Sequence, residues 1–462
     1  MILDFKVVGG TVFTPSGPVE GDIGIRKECI VAIANPGELP DAREEYNARG
    51  KVVLPGIIDI HTHFREPGYE HKEDITTATQ AAAAGGVTVC AGMTNIKPTP
   101  NTAERYRELL DLMRGKICVD AAHWCGPPLD LQELPSILEA GAIGVKVFQI
   151  KDTQRGYPHM PEIGISDDGH LLEIFKAVAE AKTMVAVHPH NQELMDHIER
   201  TYFLGKGKTG PLDYARAPRM FDYLVVNMAT HNLLMMNEVT GAKLLILHVN
   251  SKKVIQWIRE AKSQGREVYG EVNPRAVRLT SQDYERWGPY ALGRWTPEEE
   301  HPHIWEGLND GTLDIIGTDH APHTREEKEI GWTNMWKAAG GAPELEHFLP
   351  MLLDHVNKGV TTLKTLVRVC CENPAKMLGY YPRKGAIQIG SDADLTICDM
   401  NLQKTITSEG LYTKCGWTNY EGKTYKGFPV VTILRGQVVM RDRKVFAGPG
   451  TGKVLKGNYR FS

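Results

Sequence analysis

Eight short apolar runs recur through the middle of the chain. They are VVLPGIIDIHTHF (52–64), GVTVCAGM (86–93), CVDAAHWC (118–125), GAIGVKVFQI (141–150), MVAVHPH (184–190), KLLILHV (243–249), REVYGEV (266–272) and LDIIGTDHA (313–321). Near-continuous apolar runs of this length are what parallel strands covered on both faces require. Between most of them the period changes to that of a helix, as in TAERYRELLDLM (102–113), GHLLEIFKAVAEAK (169–182) and SKKVIQWIREAK (251–262). Eight strands alternating with helices over roughly 270 residues predict an α/β fold of the (β/α)₈ barrel type. A doubly wound sheet is the competing arrangement, but no GxGxxG follows the early strands. The two ends read differently. FKVVGGTVF and DIGIRKECIVAIA near the start, and GAIQIGSDADLTICDM and PVVTILRGQVVMRDRKVF near the finish, are short strand-like runs separated by turn residues. They predict a small β-sandwich domain built from both termini, with residues 1–52 and 381–462 enclosing a barrel over 53–380.

Composition narrows the function classes. With 42% apolar and 24% charged residues among 462, and a formal net charge of −4, the chain has ample core material and no basic excess for nucleic acid or a membrane surface. No apolar run approaches the ~18 residues a membrane helix needs. The opening MILDFKVVGG lacks the basic-then-apolar order of a secretory leader, so a cytoplasmic protein is expected. The eight cysteines, Cys29, Cys90, Cys118, Cys125, Cys370, Cys371, Cys398 and Cys415, form no CxxC pair and sit mostly in apolar runs. Reduced, structural thiols are the expectation.

In a barrel, chemistry is carried by residues at the C-terminal ends of the strands. Here the first run ends in His61 and His63, two apart and so on one face of an extended strand. The fourth carries Lys146, the fifth ends in His188 and His190, the sixth in His248, and the eighth in Asp319, His320 and His323. Each of these alone is weak evidence, but imidazole and carboxylate at four separate strand ends are a metal-ligand set. Lys146 is the odd member, because no acidic residue lies within its own run and an ammonium only repels a cation. Carboxylated by carbon dioxide, it becomes an anion with two oxygens that can bridge two divalent ions. The expected site therefore holds two metals, with Lys146 as an N6-carboxylysine.

These same stretches carry a family resemblance. VVLPGIIDIHTHFREPG, GVKVF, VAVHPHN, LLILHVNS, IIGTDHAPHT and GSDADLTICD, in this order along essentially the whole chain, resemble the amidohydrolase superfamily. The resemblance is to its cyclic-amide branch of hydantoinases or dihydropyrimidinases, dihydroorotases and allantoinases. It implies a (β/α)₈ barrel with a β-sandwich from the chain ends. It also implies two metals, usually zinc, on the residues matching His61, His63, carboxylated Lys146, His188, His248 and Asp319. In that family a metal-bridging hydroxide attacks the ring carbonyl, and the residue matching Asp319 moves the proton to the leaving nitrogen. A homodimer or homotetramer acting on a small cyclic amide is the corresponding partner expectation.

The ring is less clearly written. Arg65, Asn95 and His323 match positions that bind the substrate carboxylate in dihydroorotases, although Arg65 could instead pair with Glu66. Against a dihydroorotase, YALGRWTPEEE (290–300) and EVNPRAVRLT (271–280) replace loops of that subfamily, and His190 stands where an acidic residue is usual. EKEIGWTNMWKAAGGAPELEHFLPMLL (327–353) resembles hydantoinases, and Tyr157 is a candidate for their oxyanion-stabilising hydroxyl. The leading expectation is a zinc-dependent, hydantoinase-like cyclic amidohydrolase, with dihydroorotase or allantoinase as alternatives. A non-enzymatic scaffold of the same family is the reading from another class, and the filled ligand positions argue against it. A single-metal deaminase would leave Lys146 without a task.

Overall fold

The computed structural model describes residues 2–150, 163–291, 293 and 296–457. All eight predicted runs form strands: Ile57–Thr62, Val87–Gly92, Asp120–His123, Val145–Phe148, Met184–His188, Lys243–Ile246, Val268–Val272 and Ile315–Ile316. The first three pair in parallel, as do the last five. Two bridges join the groups, Cys125 with Val145 and Thr62 with His320, so the strands close into a ring in sequence order. His63 N–H donates to His320 O at 2.8 Å across the closing seam.

The packing follows from the period of two along each strand. Ile58, Ile60, Val89, Ala91, Ala122, Trp124, Ile143, Ala186, Leu245 and Ile315 form one fully buried cluster, which fills the barrel. Alternate residues such as Cys90, Val145, Val185, Leu244 and Ile246 join a second cluster with the surrounding helices. Those helices begin where the sequence places a cap. Thr102 accepts from Arg105 N at the head of Ala103–Arg114, and Ser251 from Val254 N at the head of Lys252–Ser263. Each such cap contributes about 1 kcal/mol. Their buried faces, Tyr106, Leu109, Leu110 and Met113, and Val254, Ile255, Ile258 and Ala261, keep the three-and-four spacing that covers a sheet.

The termini meet in one sheet of nine strands. Val52–Pro55 pairs with Leu395–Cys398 on one side and with Thr11 and Val12 on the other, and the chain then passes through Gly56 into the barrel. The Leu434–Gln437 turn closes a hairpin with positive φ at both central residues, Arg435 (45°) and Gly436 (80°), the backbone such two-residue loops favour. Arg435 thereby turns inward against Asp120 and Glu28. Beside it lies Lys384, 1% exposed, with Nζ 2.8 Å from Asp120, 3.0 Å from Asp392 and 2.6 Å from Asp394. This buried charge cluster fastens the β domain to the N-terminal end of the third barrel strand. All eight cysteines are free thiols, six of them buried. No described helix is long and apolar enough to cross a membrane.

Candidate active site

Six of the residues named from the strand ends, His61, His63, His188, His190, His248 and Asp319, converge at the C-terminal mouth of the barrel, whereas His320 turns away from it and accepts the N–H of Glu344. A cavity of about 130 Å³ is lined there by His61, His63, Arg65, Asn95, His188, His190, His248 and Asp319, with Asn273 and Arg275. Phe148, Ile150, Met195 and Val226 give it an apolar side. His61 and His63 reach it because the first strand is irregular between Asp59 and Thr62. There the Asp59 carboxylate accepts from the backbone N–H of His61 (3.0 Å) and Thr318 (3.1 Å). Lys146 lies beside Ala186 in register, and Ala186 belongs to the barrel filling, so the lysine points inward. It is fully buried, with Nζ 4.3 Å from the centre of the Phe148 ring.

The histidines are held from behind. Nδ1 of His61 lies 2.8 Å from Glu271 Oε1, Nδ1 of His63 2.5 Å from Asn95 Oδ1, and Nδ1 of His248 2.5 Å from Asn273 Oδ1. An oxygen at each Nδ1 fixes that nitrogen as the protonated one and leaves Nε2 as the ligand atom, the arrangement found around metal-binding imidazoles. Nε2 of His61 and of His63 stand 3.3 and 3.0 Å from Asp319 Oδ1. Donor atoms of His61, His63 and Asp319, and of His61, His248 and Glu271, group within 4.8 Å. The surroundings favour a cation. Burial works to lower the His61 pKa, but Glu271 and Asp319 together push it up to about 9. Burial opposes ionisation of Asp319 too, yet Arg275 and His61 hold its carboxyl well below the usual range. Gly317 makes the approach of Glu271 possible, because a Cβ there would collide with that carboxylate. Replacing Glu271 with alanine is expected to weaken metal binding by roughly 10–100-fold. Titration of the chelated protein measures this, and an unchanged affinity would make Glu271 a packing residue.

Three site residues occupy left-handed backbone: Arg65 (φ 62°), His248 (φ 59°) and Asp319 (φ 50°). Such conformations cost about 1–3 kcal/mol each and persist where the surroundings enforce them. At Arg65 the enforcement is visible. Its Nε donates to Pro322 O (3.2 Å) and its Nη2 to His323 Nε2 (3.0 Å), and His323 Nδ1 faces Glu327 Oε2 at 3.1 Å.

His323, expected at the substrate, therefore stands one layer back, absent from the cavity wall and aligning the arginine. It accepts from Arg65 as a neutral ring, because burial and the Arg65 charge hold its pKa well below the ordinary histidine value. The Arg65–Glu66 pair does not form; Glu66 takes Lys116 and the N–H of Ile75 instead. Asn95 lines the cavity with its oxygen committed to His63. Tyr157 lies outside the described residues. Glu271, Asn273 and Arg275 were not anticipated as site residues. The signal was present, since Glu271 and Asn273 are two apart at the end of the seventh strand, the same one-face spacing as His61 and His63.

Comparison with known proteins places this geometry. A model of the amidohydrolase family matches residues 52–439. An L-hydantoinase of Paenarthrobacter aurescens is 31% identical over 467 residues, covering all of both chains. A dihydroorotase of Methanosphaera stadtmanae is 32% identical over 399 residues, covering 86% of this chain and 87% of that one. The solved L-hydantoinase (dihydropyrimidinase) from Arthrobacter aurescens superposes with a TM-score of 0.93 at 30% identity, over 98% of this chain and 100% of that one. With imidazoles and a carboxylate at the strand ends of a closed barrel and a family match over most of its length, the chain belongs to the amidohydrolase family and groups there with the hydrolases of cyclic amides.

Proposed function

We propose that the protein is a binuclear metal-dependent cyclic amidohydrolase of hydantoinase type, opening a C–N bond of a five- or six-membered cyclic amide, imide or ureide. The observation that carries the reading is the anchored histidine set, with His61 and His63 turning Nε2 toward one oxygen of Asp319. His61, His63, His188, His248, Asp319 and a carboxylated Lys146 would hold two divalent ions, for which mixed nitrogen and oxygen donors make zinc the natural choice. Bound there, the ions supply Lewis-acid polarisation of the ring carbonyl and make a water molecule more acidic.

The rest falls to the chain itself. Asp319 takes the proton of the attacking water on its carboxylate and hands it to the ring nitrogen as the C–N bond breaks. Its left-handed backbone and its contact with Arg275 keep the carboxylate turned into the cavity. Phe148, Ile150, Met195 and Val226 accommodate an apolar ring substituent. A cytoplasmic homodimer or homotetramer belongs to the same reading, supported by the resemblance to hydantoinases.

A dihydroorotase-type activity is the second reading, favoured by one observation. Arg65 is fully buried in the cavity wall, and its Nη1 has no hydrogen-bond partner among the described residues. One experiment separates the readings: ring opening by zinc-loaded protein on 5-substituted hydantoins, dihydrouracil, dihydroorotate, allantoin and succinimide. Turnover led by hydantoins or dihydrouracil is the expected result, and turnover of dihydroorotate alone would install the second reading. In parallel, Lys146→Ala is expected to lose both paired-metal stoichiometry and turnover. Normal turnover and two ions per chain in that variant would overturn the carbamate assignment.

A further inference from the structure

Lys328 is fully buried on the short helix Arg325–Glu329, in the segment that follows the eighth barrel strand. No carboxylate among the described residues pairs with it. Its neighbour Glu327 is committed to Lys72 (2.6 Å) and His323 (3.1 Å). Nζ of Lys328 instead donates to two carbonyls of one turn, Ala339 O at 2.6 Å and Gly341 O at 2.5 Å. The amine also stands 5.5 Å from the centre of the Trp417 ring. Burying an amine is costly unless it is hydrogen-bonded. Here both bonds fix the same three residues.

That turn belongs to the site. Gly340 and Gly341 line the cavity beside Ala321, whereas Lys328 lies behind them and forms no part of the wall. The ends of the turn are held independently of the lysine. Ala339 N–H donates to Glu327 O (3.1 Å), and Ala342 O accepts from Ala321 N–H (2.9 Å). Between them Gly341 takes φ 130°, and a Cβ there would lie 2.5 Å from Ala321 O. Two glycines in succession leave the peptide planes between those ends free to rotate, so a contact from outside the turn has to set them. In a trans peptide the N–H points opposite to the C=O. With Ala339 O drawn back onto Lys328, the N–H of Gly340 turns to the cavity side, and it makes no hydrogen bond to any described residue.

Resting on the ring-hydrolysis reading above, we propose that Lys328 is a positioning residue for that reaction, holding the Ala339–Gly341 turn from behind so that the Gly340 N–H is presented to the bound ring. Lys328 acts through the turn alone, since it lies outside the cavity wall.

Calorimetric binding of uracil and steady-state ring opening, both on zinc-loaded protein, test this together. Lys328→Met is expected to weaken uracil and to raise KM by roughly tenfold, the worth of one well-placed hydrogen bond. The kcat value should hardly move, because a contact made equally in the ground and transition states acts on KM alone. A merely structural lysine would give the reverse pattern. A loosened core lowers the active fraction, and with it kcat, and leaves KM and the uracil affinity where they were. Lys328→Gln keeps a donor on a shorter arm and is expected to fall between the two. It carries the test if the methionine variant loses its zinc or its folded transition. Gly341→Ala disturbs the same turn from the cavity side, so its effect on KM should not add to that of Lys328→Met. Unchanged KM and uracil affinity in both Lys328 variants, full additivity in the double variant, or a wild type that does not bind uracil would each overturn the proposal. Lys328-dependent uracil binding by a protein that opens no ring would overturn the hydrolase reading and leave the assignment of Lys328 standing. Ring opening with a KM indifferent to Lys328 would do the opposite.

Discussion

Asp319→Asn is expected to lower ring opening by roughly 10³–10⁴-fold at saturating metal, the span that a positioned proton-transfer group supplies. Asparagine isolates that role better than alanine does. Asp319 sits at φ 50°, a region asparagine tolerates, so the backbone that aims the side chain is retained. The amide keeps an oxygen for the side facing His61 and His63, 3.3 and 3.0 Å away in the native protein, but it cannot store a proton. It also turns an N–H₂ toward Arg275 wherever that oxygen faces the histidines, so some loss of metal affinity accompanies the change. The measurement is therefore kcat at increasing zinc, with metal content determined on the same sample. A variant within tenfold of the parent at full occupancy would remove Asp319 as the proton carrier.

Lys384→Met is expected to cost roughly 3–5 kcal/mol of stability, the usual consequence of stripping one partner from a buried ion cluster. Three carboxylates, Asp120, Asp392 and Asp394, surround Lys384 at 2.8, 3.0 and 2.6 Å, and the methionine leaves them facing one another beside Arg435. Burial disfavours the ammonium, but the three carboxylates outweigh it and raise the lysine above its ordinary pKa. A raised folded-state pKa places the stabilisation below the unfolded value of about 10.4, with loss only as pH climbs through the folded value. The penalty should accordingly hold through neutral pH and shrink in acid, because burial already raises the Asp394 carboxyl and loss of the lysine lets it take up a proton more readily. Denaturant unfolding checks it, and a variant within about 1 kcal/mol of the parent would show that the cluster contributes little net. Below its melting range the variant should keep its activity, because Asp120 begins the third barrel strand while the site occupies the opposite, C-terminal ends.

Much of this protein was legible along the chain. The strands were readable because burial on both faces leaves almost no choice but apolar residues, so Ile57–Thr62 or Met184–His188 announce themselves. The helices were readable because half-burial imposes a period, and Thr102 and Ser251 mark where two of them start. Among ligand-type residues, His61, His63, His188, His248 and Asp319 stood out because imidazole and carboxylate are rare at the ends of otherwise apolar runs.

What the sequence by itself determined, then, was the barrel, the joining of its two ends in one β domain and the identity of the ligand-type side chains. These are encoded locally, by hydrophobic period and by residue type. The partners were decided by the tertiary structure alone. Glu271 is 210 residues from His61 and Arg65 is 258 from His323, and no local pattern links either pair. Closure of the ring brings them together, through bridges such as Thr62 with His320. The same closure moves His323 behind Arg65 and sets Arg275 against Asp319. Burial then makes each of these contacts consequential, because a charged or polar group removed from water must find its complement among the side chains the fold has placed beside it.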